Sequence, residues 1–177
     1  MDNVMIDLET LGNRAGCRIL SIGAVEFGAS GLGREIYITL SPIGQESLRE
    51  DTSTLEWWKR QAPEARRALD EYAASEMPLS EGLAQLRDFL APCGLDAVKV
   101  WGNGADFDCS ILYAAFAAAE MDTPWAFWNS RCFRTLKNLA PGVAAGARTG
   151  AHNALADAKF QAQHAVRILA SFNGAGI

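Results

Sequence analysis

The 177 residues are 49% hydrophobic and 21% charged, the make-up of a chain that buries a sizeable core, and no apolar run reaches the ~20 residues a membrane-spanning helix needs. Sixteen lysines and arginines against 21 aspartates and glutamates leave a net charge of −5, which argues against a protein that coats nucleic acid by bulk electrostatics. The opening MDNVMIDLET places acids early and has no basic stretch before its apolar run, so it does not read as a signal peptide, and the four cysteines (Cys17, Cys93, Cys109, Cys132) form no CxxC pair, so reduced thiols in a cytoplasmic protein are expected rather than a zinc site or disulfides.

There is no repeat, low-complexity tract or linker, and one domain over residues 1–177 is expected. Residues 3–8 (NVMIDL), 18–27 (RILSIGAVEF) and 34–40 (REIYITL) read as three successive strands, the last two joined through a turn at Gly28–Gly33, which predicts an antiparallel meander. A helix is predicted over Asp51–Gln61, opening on capping residues, and a second starts at Pro63. Ser80 is the expected cap of a third, with Leu83, Leu86 and Leu90 on its buried stripe. Residues 97–101 (AVKVW) form a short strand running into Gly102-Asn103-Gly104. The next helix carries Ile111, Leu112, Ala115, Phe116 and Ala119 at core spacing. Trp125–Trp128 reads as a fifth strand, 130–139 as a short helix, 141–151 as a Gly/Ala loop and about Asn153 to Ser171 as a long final helix. The order implies an α/β chain, a mixed sheet flanked by helices.

Three places carry chemistry. On a strand side chains alternate, so Asp7 and Glu9 share one side and Ile6 and Leu8 the other. The surrounding Val4, Met5, Ile6 and Leu8 mark a central strand buried on both faces. Two carboxylates there are costly unless a cation compensates, and a divalent metal is the simplest one; the alternative is a strand that ends at Ile6 with both acids solvated. At Trp101-Gly102-Asn103-Gly104-Ala105-Asp106-Phe107-Asp108 a strand runs through a glycine turn into a helix start. One acid is expected to cap the helix and the other to be left for chemistry; Asp106 takes the cap and Asp108 the metal. At His152-Asn153-Ala154-Leu155-Ala156-Asp157, positions five apart do not share a helix face, so His152 should precede the helix, Asn153 lie near its cap and Asp157 face the sheet from the first turn. A histidine beside a fixed carboxylate suits a base that activates water near a metal; a surface histidine is the plainer alternative. His164, the other histidine, is assigned to the polar side of the last helix.

The set IDLET, GADFD and HNALAD, in that order and at these separations, resembles the DEDDh family of 3′→5′ exonucleases. The blocks TLEWWKRQ, WGNGADFDCSIL, FWNSRCFRTLKNL and AHNALADAKFQA look like its bacterial and phage exoribonuclease-like branch. The resemblance implies a ribonuclease H-like fold. It implies Asp7, Glu9, Asp108 and Asp157 as acidic ligands of two divalent ions, Mg²⁺ or Mn²⁺, and His152 as general base. It also implies hydrolysis of single-stranded RNA or DNA from the 3′ end with release of nucleoside 5′-monophosphates. The stretch from Asn103 to Asp108 is one residue longer than in many proofreading relatives; the Phe107-Asp108 pair is what favours Asp108 over Asp106.

Around this set, Thr10, Leu11 and Asn103 are the candidate substrate contacts, with Leu11 either a wedge against a base or a packed turn residue. Of the adjacent Trp57 and Trp58, one is expected in the core and the other free to stack on a base. Arg131, Arg134 and Lys137 fall at i, i+3 and i+6, a basic stripe that either guides a phosphate backbone or is a solvated face. Phe127, Trp128 and Phe133 read as core or as the interface of a possible homodimer. A ribonuclease H-like endonuclease usually takes one acid from the first strand, a non-catalytic binding module would tolerate loss of one of the five residues, and a mononucleotide phosphatase would share the ligands; the paired DxE and the HxAxxD ending favour the exonuclease.

Overall fold

The computed structural model describes residues 1–147 and 152–174. Residues 148–151 of the expected Gly/Ala loop lie outside the described residues. The sheet has five strands: β1 (Asn3–Thr10), β2 (Ile19–Gly28), β3 (Gly31–Thr39), β4 (Lys99–Gly102) and β5 (Ser130–Cys132). Their order is β3-β2-β1-β4-β5. The first three form the expected antiparallel meander, and β1–β4 and β4–β5 are parallel. Among the described residues six helices flank the sheet: α1 (Thr52–Lys59), α2 (Pro63–Ala74), α3 (Leu79–Leu90), α4 (Asp108–Ala118), α5 (Phe133–Leu139) and α6 (Ala154–Gly174).

The alternation in β1 divides the core in two. Val4, Ile6 and Leu8 pack on one face of the sheet with Leu83, Leu86 and Leu90 of α3 and Ile111, Leu112 and Phe116 of α4. Met5 packs on the other face with Val25, Phe27 and Trp101, against Phe133 and Leu136 of α5 and Ala158, Ala162, Ala165 and Ile168 of α6. The alanine stripe lets α6 approach the sheet closely. Gly23 in β2 makes the same contact possible: a Cβ there would lie 2.2 Å from the backbone of Ala154 and Leu155. A smaller cluster under α1 and α2 joins Leu11, Leu20, Trp58, Ala65, Ala68 and Tyr72.

Several expectations are corrected. The fifth strand is Ser130–Cys132, not Trp125–Trp128. Trp125 is held in the core by its Nε1–H donating to Ser130 Oγ at 3.1 Å, residues 127–129 make a single 3-10 turn, and pairing with β4 begins only after it. The helix expected over 130–139 therefore starts at Phe133. The β2–β3 turn is shorter than Gly28–Gly33, because Gly28 pairs with Gly31, whose φ of +107° closes the hairpin. The cap of α3 is Pro78, not Ser80: Leu79 is fully buried and its N–H donates to Ile43 O, which fixes the first turn one residue earlier.

The basic stripe does not form either. Arg131 lies in β5 and donates to the Trp128 and Ser130 carbonyls, Arg134 donates to Asn103 O, and Lys137 sits over the Phe133 ring. Phe133 is core, whereas Phe127 and Trp128 are 76% and 65% exposed. His164 is buried, not on a polar face; its Nε2 lies 2.8 Å from Val143 O and its ring packs edge-on against Phe133. All four cysteines are free.

Candidate active site

β1 continues past Ile6 to Thr10, so both acids of the DxE pair lie within a paired strand, Asp7 opposite Gly23 and Glu9 opposite Ser21. They share the odd-numbered face with Met5, under the start of α6. Asn153 caps that helix as expected, its Oδ1 accepting from Ala156 N–H at 3.0 Å. The first turn then carries Asp157 to the sheet, where it is 4% exposed. One carboxylate oxygen each from Asp7, Glu9 and Asp157 lie within 4.8 Å of one another.

Asp108 comes in after β4, on the other side of β1, and is not part of that 4.8 Å group. It is the first residue of α4, 2% exposed, with Oδ2 unpartnered. Gly102, the last residue of β4, makes the room: a Cβ there would lie 2.6 Å from Asp108 Oδ2. Asp106 is exposed and does not cap α4. The turn is made by backbone instead, with the Phe107 and Asp108 N–H groups both donating to Gly104 O and no side chain capping the helix.

The electrostatics show what this packing costs. Burial, then the charges of Asp108 and Glu9, push the Asp7 carboxyl well above the usual carboxylate range, with Asp157 adding to the repulsion. Gln161, one turn beyond Asp157 on α6, opposes this by donating Nε2–H to Asp7 Oδ1 at 2.6 Å. Burial pushes Asp108 up to about 7, against backbone hydrogen bonds from Asn103, Asp108 itself and Leu8. Hard divalent cations fit this donor set: oxygen ligands only, crowded enough to resist ionising together, with a buried Asp108 oxygen lacking a partner.

His152 stands just ahead of α6 with a positive φ of 64°. Its backbone N–H donates to Asp157 Oδ2 at 3.0 Å, and its ring packs edge-on against Trp57 at 5.1 Å and Trp58 at 6.4 Å. The two tryptophans divide as expected. Trp58 is 1% exposed and anchored by Nε1–H to Thr10 O, whereas Trp57 is 38% exposed and lines a cleft of about 390 Å³ with Leu8, Glu9, Thr10 and Phe107. Thr10 thus borders the cleft, its hydroxyl donating to Gly12 O. Leu11 does not; it is 4% exposed and packs with Leu20 and Trp58, the packed-residue alternative. Asn103 is partly buried, with Oδ1 unpartnered.

Gln161 and Gly23 escape a reading of the sequence. The signal for Gln161 was a polar amide on the alanine stripe, four residues after Asp157; Gly23 had none beyond a glycine in an apolar strand.

Residues 2–169 match the 3′-5′ exoribonuclease Rv2179c-like domain. The chain belongs to this family. It is 30% identical over 162 residues to the exodeoxyribonuclease of Enterobacteria phage T4, covering 76% of this chain and 70% of that protein. Among solved structures it resembles the nuclease domain of 3′hExo, a DEDDh family member bound to rAMP, at a TM-score of 0.63 and 13% identity over 96% of this chain and 92% of that one. Exonuclease X in complex with 5′ overhanging duplex DNA superposes at 0.59 with 13% identity, covering 97% and 93%. Exonuclease I superposes at 0.70 with 14% identity; the match covers 96% of this chain but only 40% of that one. The fold is thus the ribonuclease H-like fold of the DEDDh exonucleases, and the exonuclease family places the protein among the nuclease hydrolases. The expected homodimer finds no support in these likenesses.

Proposed function

We propose that the protein is a metal-dependent 3′→5′ exonuclease that removes nucleoside 5′-monophosphates from single-stranded nucleic acid ends. The observation that carries this is the convergence of Asp7, Glu9 and Asp157 at the end of the central strand, with Asp108 weighing on Asp7 from β4's side. Asp7, Glu9, Asp108 and Asp157 would hold two Mg²⁺ or Mn²⁺ ions, which when bound supply charge stabilisation to the attacking and leaving oxygens of an in-line displacement. Two such ions would also bring the chain's net charge from −5 to nearly neutral, so an acidic protein accepts a phosphate at this spot.

The chain's own residues do the rest. His152 accepts the proton of the attacking water, tethered to the site by its backbone hydrogen bond to Asp157. Gln161 holds Asp7 in orientation. The cleft beside Glu9 takes the terminal nucleoside, with Trp57 as a stacking surface indifferent to base identity and Thr10 beside the sugar. Asn103 does not line this cleft, and the substrate contact expected of it from the sequence is not carried further. Both sugars are taken as substrates: the matched family is described as exoribonuclease and the phage relative as exodeoxyribonuclease. We place the enzyme in the cytoplasm, in keeping with its four free thiols.

The test is a time course on one 5′-labelled single strand, made as RNA and as DNA, with Mn²⁺ or chelator. A ladder shortening from the 3′ end, metal-dependent and releasing mononucleotides, is expected. Cutting of a circular single strand would replace the exonuclease with an endonuclease.

A further inference from the structure

We infer that Trp57 is a positioning residue that couples occupancy of the nucleobase cleft to the placement of His152, so that a stacked terminal base is required for full turnover and not only for binding. The inference rests on the general-base reading of His152. Trp57 and Trp58 are consecutive on α1 and therefore face different ways. Trp58 is immobilised in the core by its hydrogen bond to Thr10 O, and it supports Trp57 edge-on at 5.0 Å. The Trp57 indole then has two neighbours of functional weight. On one side it lines the cleft that also contains Glu9. On the other it meets the His152 imidazole at 5.1 Å and an interplanar angle of 82°. The imidazole also borders a hollow of about 310 Å³ together with Tyr37 and Arg67, so Trp57 is in contact with both the cleft and the proposed base.

His152 needs such support. Its left-handed backbone (φ 64°) is a conformation that a non-glycine residue keeps only when its surroundings impose it. The backbone bond to Asp157 fixes the peptide, and among the described residues the ring contacts are the two edge-on indoles. A base stacked in the cleft packs on the exposed part of Trp57, restricts the indole, and through it restricts the imidazole.

The experiment measures kcat and KM, with Mn²⁺, for wild type, Trp57→Ala, Trp57→Phe, His152→Ala and the Trp57→Ala/His152→Ala double variant. Each is run on strands ending in a normal nucleotide or in an abasic tetrahydrofuran residue. Trp57→Ala is expected to lower kcat about 10–100-fold, the cost of a misplaced catalytic group, and Trp57→Phe to recover most of it. The abasic end should lower wild-type kcat comparably but leave the kcat of Trp57→Ala unchanged. In the His152→Ala background Trp57→Ala should have no further effect on kcat, because the group it positions is gone. If His152→Ala lowers kcat while Trp57→Ala and the abasic end alter KM alone, the coupling is overturned and the general-base reading stands. If His152→Ala leaves kcat unchanged, the general-base reading falls and the coupling falls with it.

Discussion

Asp108→Asn separates the electrostatic cost of the site from its chemistry. Asp108 is 2% exposed and its carboxyl is pushed up to about 7 by burial. In the unfolded chain it titrates near the ordinary 3.8. Between those values the folded protein holds a proton that the unfolded chain has released, so stability contributed by this group is full below about pH 4 and is lost as pH rises towards and through 7. Three pKa units at 1.36 kcal/mol each amount to about 4 kcal/mol, of which about 3 kcal/mol is lost between pH 5 and pH 8. For a chain of this length that is roughly 6–12 °C in Tm. The isosteric, uncharged amide of the variant has no such titration. Thermal melts in chelator should therefore show Asp108→Asn gaining on wild type as pH goes from 5 to 8, while the variant's exonuclease activity is abolished. Mn²⁺ should return stability to wild type at pH 8, by about 2.7 kcal/mol at a hundredfold excess over Kd, and much less to the variant. A difference in Tm that is the same at pH 5 and pH 8 would refute the reasoning, since the carboxyl would then not be held protonated. Asp106→Asn is the control: Asp106 is exposed, and the variant should match wild type in both melts and turnover.

Gly102→Ala should lower activity by at least about 100-fold in a folded protein, because its Cβ would press within 2.6 Å of Asp108 Oδ2; kcat with circular dichroism checks both halves of the statement. Gln161→Ala removes the 2.6 Å hydrogen bond to Asp7 and should weaken Mn²⁺ affinity by about 10–100-fold in calorimetry. Gly23→Ala should destabilise the fold by about 3 kcal/mol, the upper end of overpacking costs, in urea unfolding, since a Cβ 2.2 Å from the backbone of α6 cannot be relieved by a rotamer change.

The meander, the central place of β1 and the parity of Asp7 and Glu9 were legible because each follows from local alternation in one strand. The start of α6 was legible because Asn153 is a cap acting within its own helix. What the sequence hid depends on partners distant in the chain. Ser130–Cys132 is a strand only because β4 offers an edge to it, while the apolar Trp125–Trp128 segment, a better strand by composition, is diverted by the anchoring of Trp125. Asp106 looked like a cap, but two N–H groups at that helix start are satisfied by the Gly104 carbonyl. His164 looked polar-facing because its partner, the Val143 carbonyl, is 21 residues away. Gln161 was overlooked for the same reason: its meaning lies in Asp7, 154 residues earlier.

The positions that admit the acids are glycines, on the two strands that flank β1. Gly23 in β2, opposite Asp7, lets the backbone of α6 descend until Asp157 and Gln161 reach the strand. Gly102 in β4 opens the space that the Asp108 carboxylate fills. Each missing Cβ weakens a strand, since glycine adds backbone freedom and no packing, and each carboxylate it admits adds desolvation and repulsion. Local propensity therefore disfavours this arrangement twice over, and the two apolar clusters on either face of the sheet must carry it. The fold concentrates that cost at one end of its central strand, where a cation would relieve repulsion and an unpartnered oxygen together. Gly23 and Gly102 give up packing so that these carboxylates can sit beside the strand, where burial and mutual repulsion raise Asp7 and burial raises Asp108, and a cation would relieve both.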